Sequence, residues 1–162
     1  MRLLRRFLAL TLDERLVLIK ATFWLAVVQL ALGRLRFVTL HRLVTRGGRS
    51  GVRLSCDRVV ADQVVWAVTV AGRYVPGPTT CLSRALTVQG MLARLGYPSR
   101  LHVGVVRGKH GEVEGHAWVE CEGRILIGGT ASEIGNFSPL AVFDVEPGAF
   151  RLRAIETLQG SR

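Results

Sequence analysis

Three short strand-like runs between positions 100 and 127, two of which alternate apolar and other residues, limit the folds open to this chain. The first run, 100–106, is followed by a polar segment and then by a second run at 113–121. Glu122-Gly123 is typical of a two-residue hairpin turn and leads into the third run, 124–127. The sequence therefore predicts an antiparallel meander of three strands, and the apolar tail after it is long enough for another strand or two.

A helical pattern fills the first part of the chain. Good helix formers dominate from Leu12 to about Leu43, which predicts one long helix or two shorter ones. Three glycines within 47–51 interrupt this pattern and favour a loop. We therefore divide the chain into a basic helical region, 1–50, and a core, 51–162.

Two more helices are predicted between this loop and the meander. The first begins at Ser55 or Asp57, whose side chains can cap it. The second begins after Thr79 or Thr80, which places Cys81 in its first turn. Helices followed by antiparallel strands are the pattern of an α+β fold.

The positive charge of the chain is concentrated in its first third. The protein has 162 residues and a formal net charge of +10, and residues 1–55 hold 11 of the 22 basic residues but only two acidic ones. A hydrophobic fraction of 49% excludes a disordered basic tail. The basic helices predict a solvated face, a docking surface for an acidic partner, or peripheral contact with a membrane. No motif that reads nucleic acid accompanies them.

The cysteines and the apolar segments indicate the cellular compartment to expect for the protein. Cys56, Cys81 and Cys121 form an odd set without Cys-x-x-Cys spacing, so neither a disulfide framework nor a zinc site is expected. This usage fits a reducing, cytoplasmic compartment. The early apolar run stops at Asp13 without a cleavage site for a secretory signal, and the stretch 21–33 is short for a membrane span. No nucleotide-binding or metal-binding motif appears, so no cofactor is expected.

Cys81 and His116 are the candidate catalytic residues. A thiol in the first turn of a helix lies at the positive end of the helix dipole, which stabilises the thiolate, and the unpaired amides there can bind an oxyanion. His116 lies on the second predicted strand. A helix packed across the sheet can bring the thiol within reach of its imidazole. Cys56 and Cys121 are expected to be structural.

The surroundings of these two residues point to a family. They are Cys81-Leu82-Ser83-Arg84-Ala85-Leu86, then 92–98, 101–105, and Gly115-His116-Ala117-Trp118-Val119-Glu120. Together they resemble the transglutaminase-like cysteine protease of lasso peptide biosynthesis, in its stand-alone leader peptidase form. The resemblance is sharp over 78–129. It implies a papain/transglutaminase-like cysteine protease core with N-terminal helices, in which Cys81 is the nucleophile and His116 the base.

The resemblance also implies a reaction and its partners. The expected reaction removes the leader from a ribosomally synthesised lasso precursor peptide, with a thioester between Cys81 and the leader. The expected partners are the precursor leader peptide, a separate leader-recognition protein and the ATP-dependent lasso cyclase. Two alternatives stay open: an acyl transferase, in which an amine resolves the thioester, and a non-catalytic scaffold of the same maturation complex.

One member of the family's catalytic set has no counterpart here. The family has an Asp about a dozen residues after its histidine, where this sequence has Gly128 and Gly129. A regular hairpin would put Gly129 opposite His116. A backbone carbonyl or a water is one replacement for the missing acid. The other candidates are three side chains from later in the chain: Glu133, Asn136 and Asp144.

Overall fold

The fold combines helices with one antiparallel sheet. The computed structural model describes residues 9–46, 55–107, 112–146 and 149–154, with position 146 and the last stretch described by their backbone. The helices are α1 (Leu12–Leu32), α2 (Phe37–Thr45), α3 (Arg58–Ala71), α4 (Cys81–Leu95) and α5 (Ala131–Ile134). The strands are β1 (Ser99–Arg107), β2 (Val113–Cys121), β3 (Arg124–Ile127), β4 (Ser138–Glu146) and β5 (Ala149–Ala154). The predicted meander, and the further strands after it, are confirmed.

Two helices, rather than one, occupy the predicted helical region. Thr11 and Glu14 form a capping box at the start of α1. The chain turns at 33–36 and enters α2. On its inner side α1 buries Ala21, Leu25 and Val28 in the hydrophobic core that also holds residues of α3 and α4. The glycine-rich segment predicted as the boundary lies outside the described residues.

The next two helices begin at predicted caps. The carboxylate of Asp57 accepts hydrogen bonds from the amides of Val59 and Val60 at the start of α3. Ser55 is not the cap, because its hydroxyl donates to the carboxylate of Glu122. Thr80 caps α4. Side-chain caps satisfy amides that have no acceptor inside the helix, so these starts are fixed by local sequence.

The five strands form a single sheet in the order β3-β2-β1-β4-β5. Alternation places Ala117 and Val119 of β2 in the hydrophobic core with α4. Trp118 projects from the opposite face of β2 and stacks on His102 of β1, with ring centroids 5.2 Å apart. The sheet therefore has a core face and an aromatic face, and His116 belongs to the aromatic one.

A buried polar contact joins α2 to α4 and the sheet. The side-chain amide of Gln89 on α4 donates to the carbonyl oxygens of Ser99 and Phe143, at 3.2 and 2.8 Å. Its own oxygen therefore faces His41 of α2, whose Nε2 donates to it at 2.7 Å. Burial lowers the pKa of His41. The hydrophobic periodicity of α2 does not predict this hydrogen bond, because His41 is fully buried among apolar residues.

Candidate active site

Cys81 is the first residue of α4, at the edge of the sheet. Its thiol lies 4.0 Å from the carbonyl oxygen of Gly115 on β2, the residue before His116. The segment just before the thiol is held on two sides. The amide of Gln29 on α1 donates to the Thr79 hydroxyl at 3.0 Å, and that hydroxyl donates to the carbonyl of Gly72 at 3.2 Å. The helix start and the strand thus meet at the thiol.

The first turn of α4 has two backbone amides that are available to bind an oxyanion. The Thr80 hydroxyl accepts from the amide of Ser83, and the Thr80 carbonyl accepts from that of Arg84. In the part of the chain that the structure describes, the amides of Cys81 and Leu82 make no hydrogen bond. Unpaired amides at a helix start carry partial positive charge. They form a natural binding place for an oxyanion beside the thiol.

His116 is oriented by a backbone carbonyl. Its Nε2 donates a hydrogen bond to the carbonyl oxygen of Gly128, which follows β3. The ring stacks on Phe137 with centroids 4.9 Å apart, and on Trp118 at 6.3 Å. Because a carbonyl oxygen can only accept, Nε2 carries the proton of the neutral ring and Nδ1 has the free lone pair. The thiol itself bonds to the Gly115 carbonyl rather than to the ring.

The register of the β2–β3 hairpin differs from the regular one predicted. A β-bulge between Val119 and Glu120 pairs Val119 with Ile127 instead of Leu126. The register between β2 and β3 is therefore shifted by one residue beyond the bulge. As a result Gly128 meets the imidazole through its carbonyl, and the prediction that Gly129 lies opposite His116 is wrong. The three consecutive apolar residues Ile125, Leu126 and Ile127 do not alternate, so the sequence does not indicate where the extra residue falls.

The backbone at Gly128 has no room for a side chain. Its φ is +108°, and a Cβ there would lie 2.5 Å from the Cβ of Trp118 and 2.7 Å from the carbonyl oxygen of Ala117. Both contacts are far shorter than van der Waals distance. A carboxylate of the family type is thus excluded at this position by geometry, and the carbonyl takes the place of its oxygen as acceptor.

The side chain of Glu133 occupies the neighbouring space. Its Oε2 lies 3.0 Å from where a Cβ at Gly129 would stand. The carboxylate accepts from the Thr130 amide at 2.7 Å and the Thr130 hydroxyl at 2.9 Å, as part of the capping box of α5. These hydrogen bonds, and the positive charge of a protonated His116, lower the pKa of Glu133. A negative charge therefore lies near the imidazole.

The other two candidates for the third residue have different partners. Asp144 on β4 forms an ion pair with Arg100 at 3.0 Å. Arg100 lies four residues along β1 from Gly104, the residue that pairs with His116, which is roughly 13 Å along the strand. The exposed amide of Asn136 donates to the Ser132 carbonyl within its own turn, at 3.4 Å.

The two remaining cysteines lie away from this site. The Cys121 thiol is buried at the far end of β2 and donates to the Pro98 carbonyl at 2.9 Å. Burial and the neighbouring Cys56 raise the pKa of Cys121, which disfavours its thiolate. Phe137, the ring that packs on His116, is not predicted from the sequence, because nothing in its turn indicates a partner on the sheet.

A family model for the transglutaminase-like superfamily matches residues 22–142, which include the thiol, the imidazole and the carbonyl that orients it. The chain belongs to the transglutaminase-like superfamily. No curated protein and no solved structure matches it. Transglutaminase-like proteins are often cysteine proteases or transferases, so the predicted resemblance is confirmed at the level of the superfamily.

Proposed function

We propose that this transglutaminase-like protein is a cysteine peptidase that removes the leader from a ribosomally synthesised lasso precursor peptide. One observation carries the proposal: the thiol of Cys81, at the capped start of α4, contacts the strand residue next to an imidazole that Gly128 holds in one tautomer. These contacts support Cys81 as the nucleophile, His116 as the base and the Gly128 carbonyl as the orienting acceptor.

The first half of the reaction forms a thioester. Nδ1 of His116 takes the proton of the Cys81 thiol, and the sulfur attacks the carbonyl carbon of the bond between leader and core. Apo hydrogen bonds between such groups are often long and tighten when substrate binds. The developing oxyanion lies toward the amides of Cys81 and Leu82, which have no competing acceptor in the described residues.

The second half releases both products. The imidazolium of His116 gives its proton to the departing amine as the carbon–nitrogen bond breaks, which frees the core peptide. Water, deprotonated by the same imidazole, then attacks the thioester carbon. The carbon–sulfur bond breaks, the Cys81 sulfur takes the proton back from the imidazolium, and the leader leaves as a carboxylic acid that ionises in water. The freed amine of the core is the group that the separate ATP-dependent cyclase would use, and a leader-recognition protein would deliver the precursor.

Two groups together take the place of the missing Asp. In a cysteine or serine triad the acid orients the imidazole and stabilises the imidazolium. The Gly128 carbonyl orients the ring but carries no net charge. The carboxylate of Glu133 supplies the negative charge from an adjacent position. Because Glu133 is exposed, solvent screens this charge and its effect is modest.

Replacing Glu133 with Gln is expected to shift the pH profile of the reaction. The imidazolium that protonates the leaving amine loses its neighbouring negative charge and is less stabilised when it forms. We expect the kcat/KM profile to move to lower pH, and kcat near neutrality to fall by less than about tenfold. The measurement is leader release between pH 5 and about 9.

The chain offers a matched control for this change. Glu14 belongs to a capping box of the same type on α1, with Thr11 in the role of Thr130. Glu14→Gln should weaken a helix cap in the same way but leave the pH profile unchanged. A profile that is the same in Glu133→Gln and wild type would show that Glu133 only caps α5.

The activity is tested with purified protein, a lasso precursor peptide and its leader-recognition protein, followed by mass spectrometry. Hydrolysis is expected to yield leader and core whose masses add up to the precursor plus one water. A leader joined to an added amine in preference to water would favour the acyl transferase. Precursor that binds but stays intact, with an equal result for Cys81→Ala, would favour a scaffold.

A further inference from the structure

Helix α1 carries a continuous stripe of exposed apolar side chains. Six large residues at spacings of three and four are between 36% and 74% exposed, and we call them the α1 stripe: Leu12, Leu16, Ile19, Phe23, Val27 and Leu30. The stripe follows one side of the helix over about 27 Å, at 1.5 Å per residue. Contiguous exposed apolar surface of this kind marks an interaction site in soluble proteins.

Phe23, Trp24 and Leu25 are consecutive large apolar residues, but only Phe23 of the three is exposed. Trp24 packs under the guanidinium of Arg94, 3.7 Å from the ring centroid, and Leu25 is fully buried. The exposed apolar surface of α1 therefore extends along the helix axis and is not formed by consecutive residues.

The other side of α1 packs in the hydrophobic core of the protein. Of the described helices, α1 alone is long and apolar enough to cross a membrane by length and composition. A crossing would pull Ala21, Leu25 and Val28, all fully buried, out of the core. It would also break the hydrogen bond from Gln29 to Thr79 beside the thiol. The packing therefore keeps α1 on the protein, with only the stripe available.

Cations border the stripe. On a helix of 3.6 residues per turn, Arg15 and Lys20 fall on opposite sides of the stripe, with Asp13 beside Lys20; Lys20 and Asp13 are exposed. Arg34 and Arg36, both exposed, follow the helix end. In sequence the helix is preceded by Arg2, Arg5 and Arg6. Apolar residues bordered by cations are the arrangement of helices that lie in the interface of anionic membranes.

We propose that the α1 stripe docks the protein on an anionic lipid surface, with the helix lying in the plane of the membrane. The apolar side chains enter the boundary between headgroups and acyl chains, and the bordering cations contact the headgroups. The proposal goes beyond the peptidase chemistry and does not depend on it. A second copy of the chain is disfavoured as the occupant, because pairing two stripes would bring these cations together.

Vesicle co-sedimentation tests the docking. The probe is full-length protein with phosphatidylcholine vesicles, either pure or containing about 30% phosphatidylglycerol. We expect binding to the anionic vesicles that weakens with added salt, since exposed charges are screened within about 8 Å at physiological ionic strength. The variant Ile19→Ser/Phe23→Ser should bind at least about tenfold more weakly, because it removes two apolar anchors from the interface.

Two controls separate docking from general stickiness and from unfolding. Val59→Ser/Leu140→Ser replaces two exposed apolar residues outside the stripe and should bind as wild type does. Circular dichroism should show both double variants folded, since the replaced side chains are exposed. Cys81→Ala should bind normally, which separates docking from catalysis.

Three results would overturn the proposal. The first is no sedimentation of wild type with anionic vesicles. The second is equal binding by the stripe variant and wild type. The third is a wild-type dimer, or a complex with the leader-recognition protein, that the stripe variant loses while vesicles have no effect. That last result would assign the stripe to a protein partner.

Discussion

Alanine at Cys81 is expected to abolish leader release, and alanine at His116 to lower it by about a thousandfold. The first change removes the atom that forms the thioester. The second removes the proposed base, and proton transfer by a positioned base contributes about 10²–10⁴-fold to rate. Initial rates of leader release by mass spectrometry measure both, and only wild type should yield a leader thioester on rapid acid quench.

The chain supplies a control for each change. Cys56→Ala removes a half-buried thiol elsewhere, and His102→Ala removes a second imidazole that stacks on Trp118. Both should retain rates within a fewfold of wild type once folding is confirmed. Full activity of Cys81→Ala would refute the thioester route, and activity lost equally in both histidine variants would refute a specific role for His116.

Gly128→Ala is expected to have the second largest effect. The new Cβ would overlap the Trp118 Cβ at 2.5 Å and would hold an alanine at φ +108°. Strain of this kind costs about 1–3 kcal/mol of folding free energy before the overlap is counted. The backbone must move to relieve it, which takes the carbonyl away from His116. We expect leader release to fall by about 10²–10³-fold, because the imidazole loses the acceptor that sets its tautomer.

Gly123→Ala is the matched control for that strain. Gly123 has φ +80° in the hairpin turn of the same strand pair, and a Cβ there would meet nothing within 4 Å. It should lose stability of similar order in chemical denaturation but keep its activity in the folded state. If Gly128→Ala is as active as Gly123→Ala, the carbonyl of Gly128 has no orienting role.

Local signals explain what the sequence predicted correctly. The caps at Asp57 and Thr80, and the turn at Glu122-Gly123, are short motifs whose hydrogen bonds form within a few residues. The alternating runs likewise identified the strands. Placing Cys81 at the start of α4 followed from these local rules alone.

The rest depends on contacts between distant segments. The bulge beyond Val119 changes which glycine meets His116, and only the packing of the strands decides it. The position of Glu133 follows from that bulge and from the capping box of α5. Helix α1 is apolar on two sides, so its periodicity could not say that Ile19 faces outward while Leu25 is buried.

The buried hydrogen bond between His41 and Gln89 makes the stability of the protein depend on pH. His41 donates from Nε2 and is neutral in the folded protein, and its pKa is lowered by burial. Below the unfolded pKa of about 6.5, the unfolded chain takes up a proton that the folded chain excludes. Stability is therefore full above that pH and declines as pH falls toward the folded pKa. Acid therefore weakens the packing of α4, the helix that carries the thiol.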